Sequence, residues 1–284
     1  MSYSIETVEQ KLEENMPSLS PTASKVMQLA NNINTSPPEL TKVIKLDPVL
    51  SAKVLKLVNS SYFALSNEIV SLEKAVIMLG LNTIKNLALS AAVLAQMETK
   101  DQLKGFDGNG FWKHSLAVGV TAKLIAKKRN IDKKVIEDYF IAGLLHDLGF
   151  LAEMKIFPEE ADRILQSLGD ISLIDAEEVI LEGLNHCSVG KLLAKRWHLT
   201  DGLSNVLLLH HTPFAVDEPS ELVLSVYLAN IICKNNAVGL VLDAPPIEID
   251  ARAYEKLTID SSIDKEILDV LEEEITKATE FLKV

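Results

Sequence analysis

The chain has 284 residues and a mass of 31.2 kDa, with 48% apolar and 24% charged residues. That is one large domain or two small ones with enough apolar surface for a sizeable core, and it excludes a disordered chain. A net charge of −12, from 40 acidic against 28 basic residues, argues against nucleic acid or an anionic membrane as a non-specific partner, since both need a Lys/Arg excess.

Apolar residues recur at helical spacing through most of the sequence. Val26, Leu29, Ala30 and Ile33 follow the i, i+3, i+4, i+7 pattern, and Leu40, Val43, Ile44 and Leu46 continue it after Pro37-Pro38. Asp47-Pro48 predicts a helix start, because Asp caps a first turn and Pro is tolerated inside one; the helix runs through Val54, Leu55 and Val58. Further helices are expected over Ser71–Leu79, closed by Gly80, and over Thr83–Leu94, which is Ala/Leu-rich on several faces and so buried. Three glycines within Lys104 to Gly110 predict a loop and an internal boundary.

Beyond it, helices are expected over Phe111–Arg129, Lys134–Leu145, Asp162–Leu168, Ala176–Leu181, Ser188–Trp197, Leu203–Leu209 and Leu222–Cys233. Val241–Ile249, which contains Pro245-Pro246, reads as extended, and Ser262–Leu282 as one or two amphipathic helices. The expectation is an all-α protein with an N-terminal helical lobe (10–103), a second helical lobe (111–235) and a C-terminal helical extension (236–284). Trp112 and Trp197 read as core anchors of the second lobe, and the Glu272–Glu274 run as a solvated helix face. Asn59, Ser60 and Ser61 read as capping and turn residues ahead of binding ones, and Tyr62-Phe63 as packing between the lobes.

No signal peptide is visible, and no stretch approaches ~18 uncharged apolar residues, so no membrane span is expected. Cys187 and Cys233 form no Cys-x-x-Cys or disulfide framework, which fits a reducing cytoplasm.

All six histidines lie between positions 114 and 211: His114, His146, His186, His198, His210 and His211. His146-Asp147 follows the apolar run Ile141–Leu145 and precedes Gly149. Imidazole nitrogen and carboxylate oxygen are ligands for a borderline divalent metal. Two adjacent residues reach one ion only where a helix is ending, and Gly149 supports an ending there. His198, after Trp197, reads as an ordinary histidine and stays outside the candidate set.

The motifs Phe111-Trp-Lys-His-Ser115, Ala142-Gly-Leu-Leu-His-Asp-Leu-Gly149, His186-Cys-Ser-Val-Gly-Lys-Leu-Leu193 and His210-His211 together resemble the HD superfamily of metal-dependent phosphohydrolases. Met16-Pro-Ser-Leu-Ser-Pro21, Leu46-Asp-Pro-Val-Leu50, Leu57-Val-Asn-Ser-Ser61 and Ala75-Val-Ile-Met-Leu-Gly80 resemble the N-terminal signature of its HDOD branch, the hydrolase-related output domains. The resemblance implies an all-α HD-like bundle and a role in bacterial signal transduction, regulatory ahead of catalytic. It places metal ligands on His114, His146 and Asp147, and the additional histidines of two-metal relatives on His186, His210 and His211.

Two positions depart from the active enzymes. Phe150 stands where His-Asp-x-Gly-Lys has a lysine, and Asn230 where a late helix carries an aspartate. Phenylalanine cannot neutralise a phosphate, and an amide is a weaker ligand than a carboxylate. No Gly-Tyr-Pro motif follows His210-His211. The expected protein is a signalling module with a degenerate pocket, taking Fe, Mn, Ni or Zn and acting on signalling proteins or a small nucleotide ligand. The alternative is a metal-dependent phosphohydrolase of nucleotides or cyclic dinucleotides, with Asp147 at the catalytic centre.

Overall fold

The computed structural model describes residues 3–32, 34–97, 106–169, 171–242 and 246–283. In chain order the helices are α1 (Ile5–Asn15), α2 (Pro21–Ala30), α3 (Pro37–Ile44), α4 (Pro48–Val58), α5 (Leu72–Leu79), α6 (Leu81–Gln96), α7 (Gly108–Lys128) and α8 (Ile136–Leu145). They continue as α9 (Leu148–Ile156), α10 (Pro158–Ser167), α11 (Leu173–Ile180), α12 (His186–Trp197), α13 (Asp201–Leu209), α14 (Glu221–Asn235), α15 (Ala251–Leu257) and α16 (Ile263–Ala278). The described residues form no strand beyond an isolated bridge between Leu168 and Ile171, so the all-α expectation holds. No helix among them is long and apolar enough to cross a membrane.

Local chemistry explains most helix starts. Ser4, Ser20, Ser36, Asp47, Ser71, Asp107, Ser172, Asn185, Thr200 and Ser220 each accept a backbone N–H of the first turn, and proline opens α2, α3, α4 and α10. These caps also explain why several helices begin earlier than periodicity suggests: α7 starts at Gly108, α10 at Pro158, α11 at Leu173 and α12 at His186. Helices α1, α9 and α15 lay outside the sequence reading. Leu46 is the reverse case: it extends the apolar pattern of α3, yet α3 ends at Ile44 and Leu46 is exposed. Ile33, Lys104, Gly105 and Pro245, which entered the sequence reading, lie outside the described residues, as do positions 98–103 at the end of the expected first lobe.

One apolar core runs from Val8 to Phe281. At its centre α7 crosses α8 with glycine on both sides. A Cβ on Gly143 would lie 2.7 Å from the Gly119 Cα, and one on Gly119 would lie 2.6 Å from the Phe140 carbonyl oxygen. Helices α9 and α12 approach as closely, since a Cβ on Gly149 would meet the His186 carbonyl oxygen at 1.9 Å.

The first six helices are tied to the rest by named polar contacts. Asn82 and Asn86 of α6 donate to Asp138 of α8, and Trp197 Nε1 donates to the Pro17 carbonyl. Tyr62 packs on Phe140 and Phe281 with ring centroids 4.8 and 5.1 Å away, while its hydroxyl donates to Glu137 and accepts from Lys123. Asn59 is a structural clamp as expected, donating to the Leu55 and Ile69 carbonyls and accepting from the Ile69 N–H. Ser60 and Ser61 bond the carbonyls of Leu57 and Lys277. Trp197 is buried, but Trp112 is only partly so, and Phe111 takes the anchoring place expected of Trp112.

Candidate metal centre

His146 and Asp147 occupy the break between α8 and α9: His146 caps the C-terminus of one and Asp147 precedes the first residue of the other. The helix does end there, as the pair requires, but Gly149 lies inside the next helix and does not close the previous one. The turn directs both side chains into a crevice walled by α7, α12, α13 and α14. His114 comes from the second turn of α7, His186 from the first residue of α12, and His210 from the C-cap of α13. All four of these histidines are buried.

The functional atoms converge. Asp147 Oδ2 lies 3.0 Å from His146 Nε2, and Oδ1 lies 3.0 Å from His210 Nε2 and 3.5 Å from His186 Nε2. His186 Nε2 and His210 Nε2 are 3.4 Å apart. Yet His146 Nε2, Asp147 Oδ1 and His211 Nε2, all buried, make no properly directed hydrogen bond. Close approach without hydrogen-bond alignment fits ligand atoms gathered around a cation. Ligands held at about 2.1 Å and at right angles on one ion lie about 3.0 Å apart, so the spacing fits a divalent metal.

Two clusters meet the distance requirement, one of His114, His146 and Asp147, the other of Asp147, His186, His210 and His211. Asp147 belongs to both. His211 joins because α13 has ended at Leu209, so it is free of the divergence that separates neighbours on a helix.

The tautomers are set from behind. His146 Nδ1 lies 2.7 Å from the Gly143 carbonyl, His210 Nδ1 3.0 Å from that of Val206, and His114 Nδ1 3.2 Å from that of Val238. His186 Nδ1 lies 2.7 Å from Glu177 Oε2, which also accepts the His186 backbone N–H at 3.1 Å. For His146 and His210 that acceptor draws the ring proton to Nδ1 and leaves the Nε2 lone pair facing inward, the form a metal binds, whereas His114 has an acceptor at each ring nitrogen, the Val238 carbonyl behind and Asn230 Oδ1 in front.

Electrostatics agree for His114 and His210, while His186 holds its proton more tightly, so a metal there would have to displace it. Burial, reinforced by His146, pushes His114 down to about 4, and burial does the same to His210. Burial alone would raise the Asp147 carboxyl, but His146 and His210 beside it hold it well below its usual range. His186 lies well above its ordinary value: burial opposes the charge, and Cys187 and Glu177 outweigh it.

The two departures are also visible. Asn230 Oδ1 faces His114 Nε2 at 3.0 Å, a neutral amide against the imidazole. Phe150 is buried in an aromatic cluster with Phe106 and Phe111, and its ring meets that of His186 edge-on at 6.3 Å. His198 is exposed at the left-handed C-cap of α12, outside the centre.

The sequence profile of the HDOD domain matches residues 16–213. This chain belongs to the HDOD domain family. An uncharacterized protein of Treponema pallidum is 27% identical over 213 residues; the match spans 73% of this HDOD chain and 40% of that protein. An HDOD domain protein of unknown function from Geobacter sulfurreducens superposes with a TM-score of 0.79 at 24% identity, covering 98% of this chain and 99% of its own. A Shewanella amazonensis protein carrying the provisional name of a phosphohydrolase gives 0.74 at 22% identity, covering 97% and 98%. A Marinobacter aquaeolei protein provisionally named for signal transduction gives 0.75 at 22% identity, covering 95% of this chain and 60% of that one. At these identities the structures share the HDOD fold.

Three residues of the centre escaped the sequence reading. Glu177 lies nine positions before His186 and is fully buried, but nothing in the sequence separates it from the adjacent, exposed Glu178. Glu153 is fully buried in α9 with neither carboxyl oxygen hydrogen-bonded. Lys234 is buried one helical turn beyond Asn230, and its charge acts on both His114 and His211. The i, i+4 spacing from Asn230 was the available clue to Lys234.

Proposed function

We propose that this chain is a regulatory HDOD module that retains a metal-binding pocket and does not hydrolyse phosphodiesters efficiently. The observation that carries the reading is Asn230: a neutral amide faces His114, so Asp147 is the one carboxylate in either histidine cluster. A bound divalent ion would supply Lewis acidity and a lowered pKa for bound water. His146, Asp147, His186 and His210 would hold it, with His114, His211 and Asn230 flanking. Glu177 fixes the His186 ring, and the Gly143 and Val206 carbonyls fix His146 and His210. Phe150 puts an apolar wall where a phosphate would need a cation.

The output is a change in how the lobe of residues 10–103 engages the lobe of residues 111–235, with 236–284 strapped across both. It is read by a signalling protein or set by a nucleotide ligand. The place of action we assign is the bacterial cytoplasm, which two buried, free cysteines suit.

Lys234 favours the second reading, a phosphohydrolase, because a buried ammonium beside the histidines is the kind of charge a phosphoryl group needs. One experiment separates the two. Protein purified without a histidine tag is analysed for Fe, Mn, Ni and Zn, then assayed on cyclic dinucleotides and nucleotides with added Mn(II) or Fe(II). The expected result is bound metal, lost in Asp147→Asn, with no turnover. Robust turnover overturns the regulatory reading in favour of the hydrolase, and failure to bind any of the four metals ends both.

A further inference from the structure

Two acceptors compete for the ring of His114, and both come from α14 and the turn that follows it. Asn230 places Oδ1 3.0 Å from Nε2, and Val238 places its carbonyl 3.2 Å from Nδ1. A neutral imidazole carries one N–H, so it satisfies one acceptor and turns a lone pair to the other.

The turn is fixed by backbone on both sides. Ala237 N–H donates to the Lys234 carbonyl and Val238 N–H to that of Cys233, the paired bonds of a Schellman ending, with Ala237 in the left-handed region at φ 52°. Gly239 follows at φ 79°, and Leu240 N–H donates to the Gly110 carbonyl at 2.8 Å. The chain therefore lies directly against the start of α7. A Cβ on Gly239 would stand 2.3 Å from the His114 backbone nitrogen and 2.7 Å from its Cα and from the Gly110 carbonyl oxygen. All three are backbone atoms with no rotamer to yield, so a side chain here would lift the turn off α7.

The Asn230 amide is not fixed in the same way. A half-turn of the amide exchanges Oδ1 for Nδ2 in the same place, and Nδ2 donates to a lone pair. With the ring proton on Nδ1 both contacts are matched: Nδ1–H donates to Val238, and the turned amide donates to Nε2. With the proton on Nε2, the Val238 carbonyl faces a lone pair and cannot turn away.

We infer that Gly239 is a positioning residue for the centre: it seats the Val238 carbonyl on His114 Nδ1, which keeps the ring proton behind and a lone pair on Nε2 in front. The consequence for a bound ion rests on the metal-site reading. The tautomer is a property of the metal-free protein.

The test uses the full chain with Gly239→Ala, Gly80→Ala and Asn230→Leu. Gly80→Ala is the control for strain: Gly80 has a φ of 86°, but a Cβ there meets nothing within 4 Å. The His114 tautomer is read at neutral pH by proton–nitrogen-15 correlation NMR of the imidazole, assigned by its loss in His114→Ala. Mn(II) binding is measured by calorimetry.

The parent should carry its His114 proton on Nδ1. Gly239→Ala should move it to Nε2, where Asn230 Oδ1 accepts it. Supporting partners of metal-bound histidines are worth about 10–100-fold in affinity, so Mn(II) binding should weaken by about tenfold in that variant. Gly80→Ala should lower the Tm while keeping the parent tautomer and affinity. Asn230→Leu removes the front acceptor and should leave the proton on Nδ1.

A parent ring protonated on Nε2 overturns the proposal. So does Gly239→Ala with the parent tautomer and an affinity within about threefold of the parent, since a partner of this kind is worth more. A Gly80→Ala variant that loses affinity and tautomer as Gly239→Ala does would reduce the effect to general destabilisation and overturn it equally. Should Gly239→Ala not fold, the parent and Asn230→Leu tautomers decide. If the parent binds no Mn(II), the metal-site reading fails, and the tautomer still decides the role of Gly239.

Discussion

Substituting Gly143 by alanine tests whether the crossing of α7 and α8 sets the geometry of the histidine centre. The new Cβ would sit 2.7 Å from Gly119 Cα and N and 2.8 Å from the Val118 carbonyl carbon, all backbone atoms with no rotamer to yield. Ordinary contact begins at 3.4 Å, so the helices must part locally by about 0.7 Å. Overpacking of this kind costs about 1–3 kcal/mol, and backbone on both sides puts the cost near the upper end. Alanine recovers about 1 kcal/mol of helix propensity over glycine. The net loss is about 2 kcal/mol, a fall in Tm of about 4–8 °C for a chain of this size.

The larger effect falls on the centre. The Gly143 carbonyl lies 2.7 Å from His146 Nδ1, and His114 rides on the partner helix. Metal ligands tolerate displacements of about 0.2 Å, so metal affinity should drop by at least about tenfold. Calorimetric unfolding and a Zn(II) titration read the two effects. The matched control is Gly202→Ala in the first turn of α13, where the added methyl makes one ordinary contact at 3.4 Å and should leave the affinity unchanged without lowering the Tm. Parent-like Tm and affinity in Gly143→Ala would refute the claim that this contact fixes the centre.

The centre also predicts a pH dependence for the metal-free protein. His114 and His210 sit at about 4 when folded, against 6.5 for the ordinary group, so the folded state binds fewer protons than the unfolded one between those values. Their neutral forms are favoured by folding, so stability is full above about pH 6.5 and is lost as the pH falls toward 4, by at most about 3 kcal/mol per histidine. His186, raised above 6.5, acts in the opposite sense: its contribution is present below 6.5 and is lost as the pH rises through its folded value. Urea titrations from pH 8 to 4.5 check the acid limb; stability that stays flat or rises on acidification would contradict the burial of neutral imidazoles. Asn230→Asp restores a carboxylate 3.0 Å from His114 Nε2, and Mn(II) affinity should rise about tenfold while the metal-free protein becomes less stable, since a buried carboxylate without an ion is costly. Affinity unchanged in that variant would place Asn230 outside the ligand set.

Sequence periodicity and capping chemistry were enough for the helical class. They were also enough for the starts of α4 and α5, because Asp47-Pro48 and Ser71 act on their own neighbours in the chain. The same local logic marked His146-Asp147, since a polar pair after an apolar helix needs no distant information to stand out. Starts such as those of α11 and α12 were displaced because periodicity begins where burial begins, whereas a helix begins at its cap. Helix α9 was missed for a related reason: Gly149 looked like a terminator, but its role is to let α9 meet α12 at backbone distance.

What the tertiary structure alone decided was which polar groups stand behind the histidines. Glu177 and Glu178 are adjacent acids with the same local chemistry, yet one is sealed against His186 and the other faces solvent. Lys234 reads as one lysine among many until α14 packs it inward, and Glu153 reads as a surface acid until α9 is covered on all sides. Helix formation depends on interactions a few residues apart, which a sequence displays. Burial and the partners it forces on a charge depend on helices meeting across tens to hundreds of positions, which only the packed chain specifies.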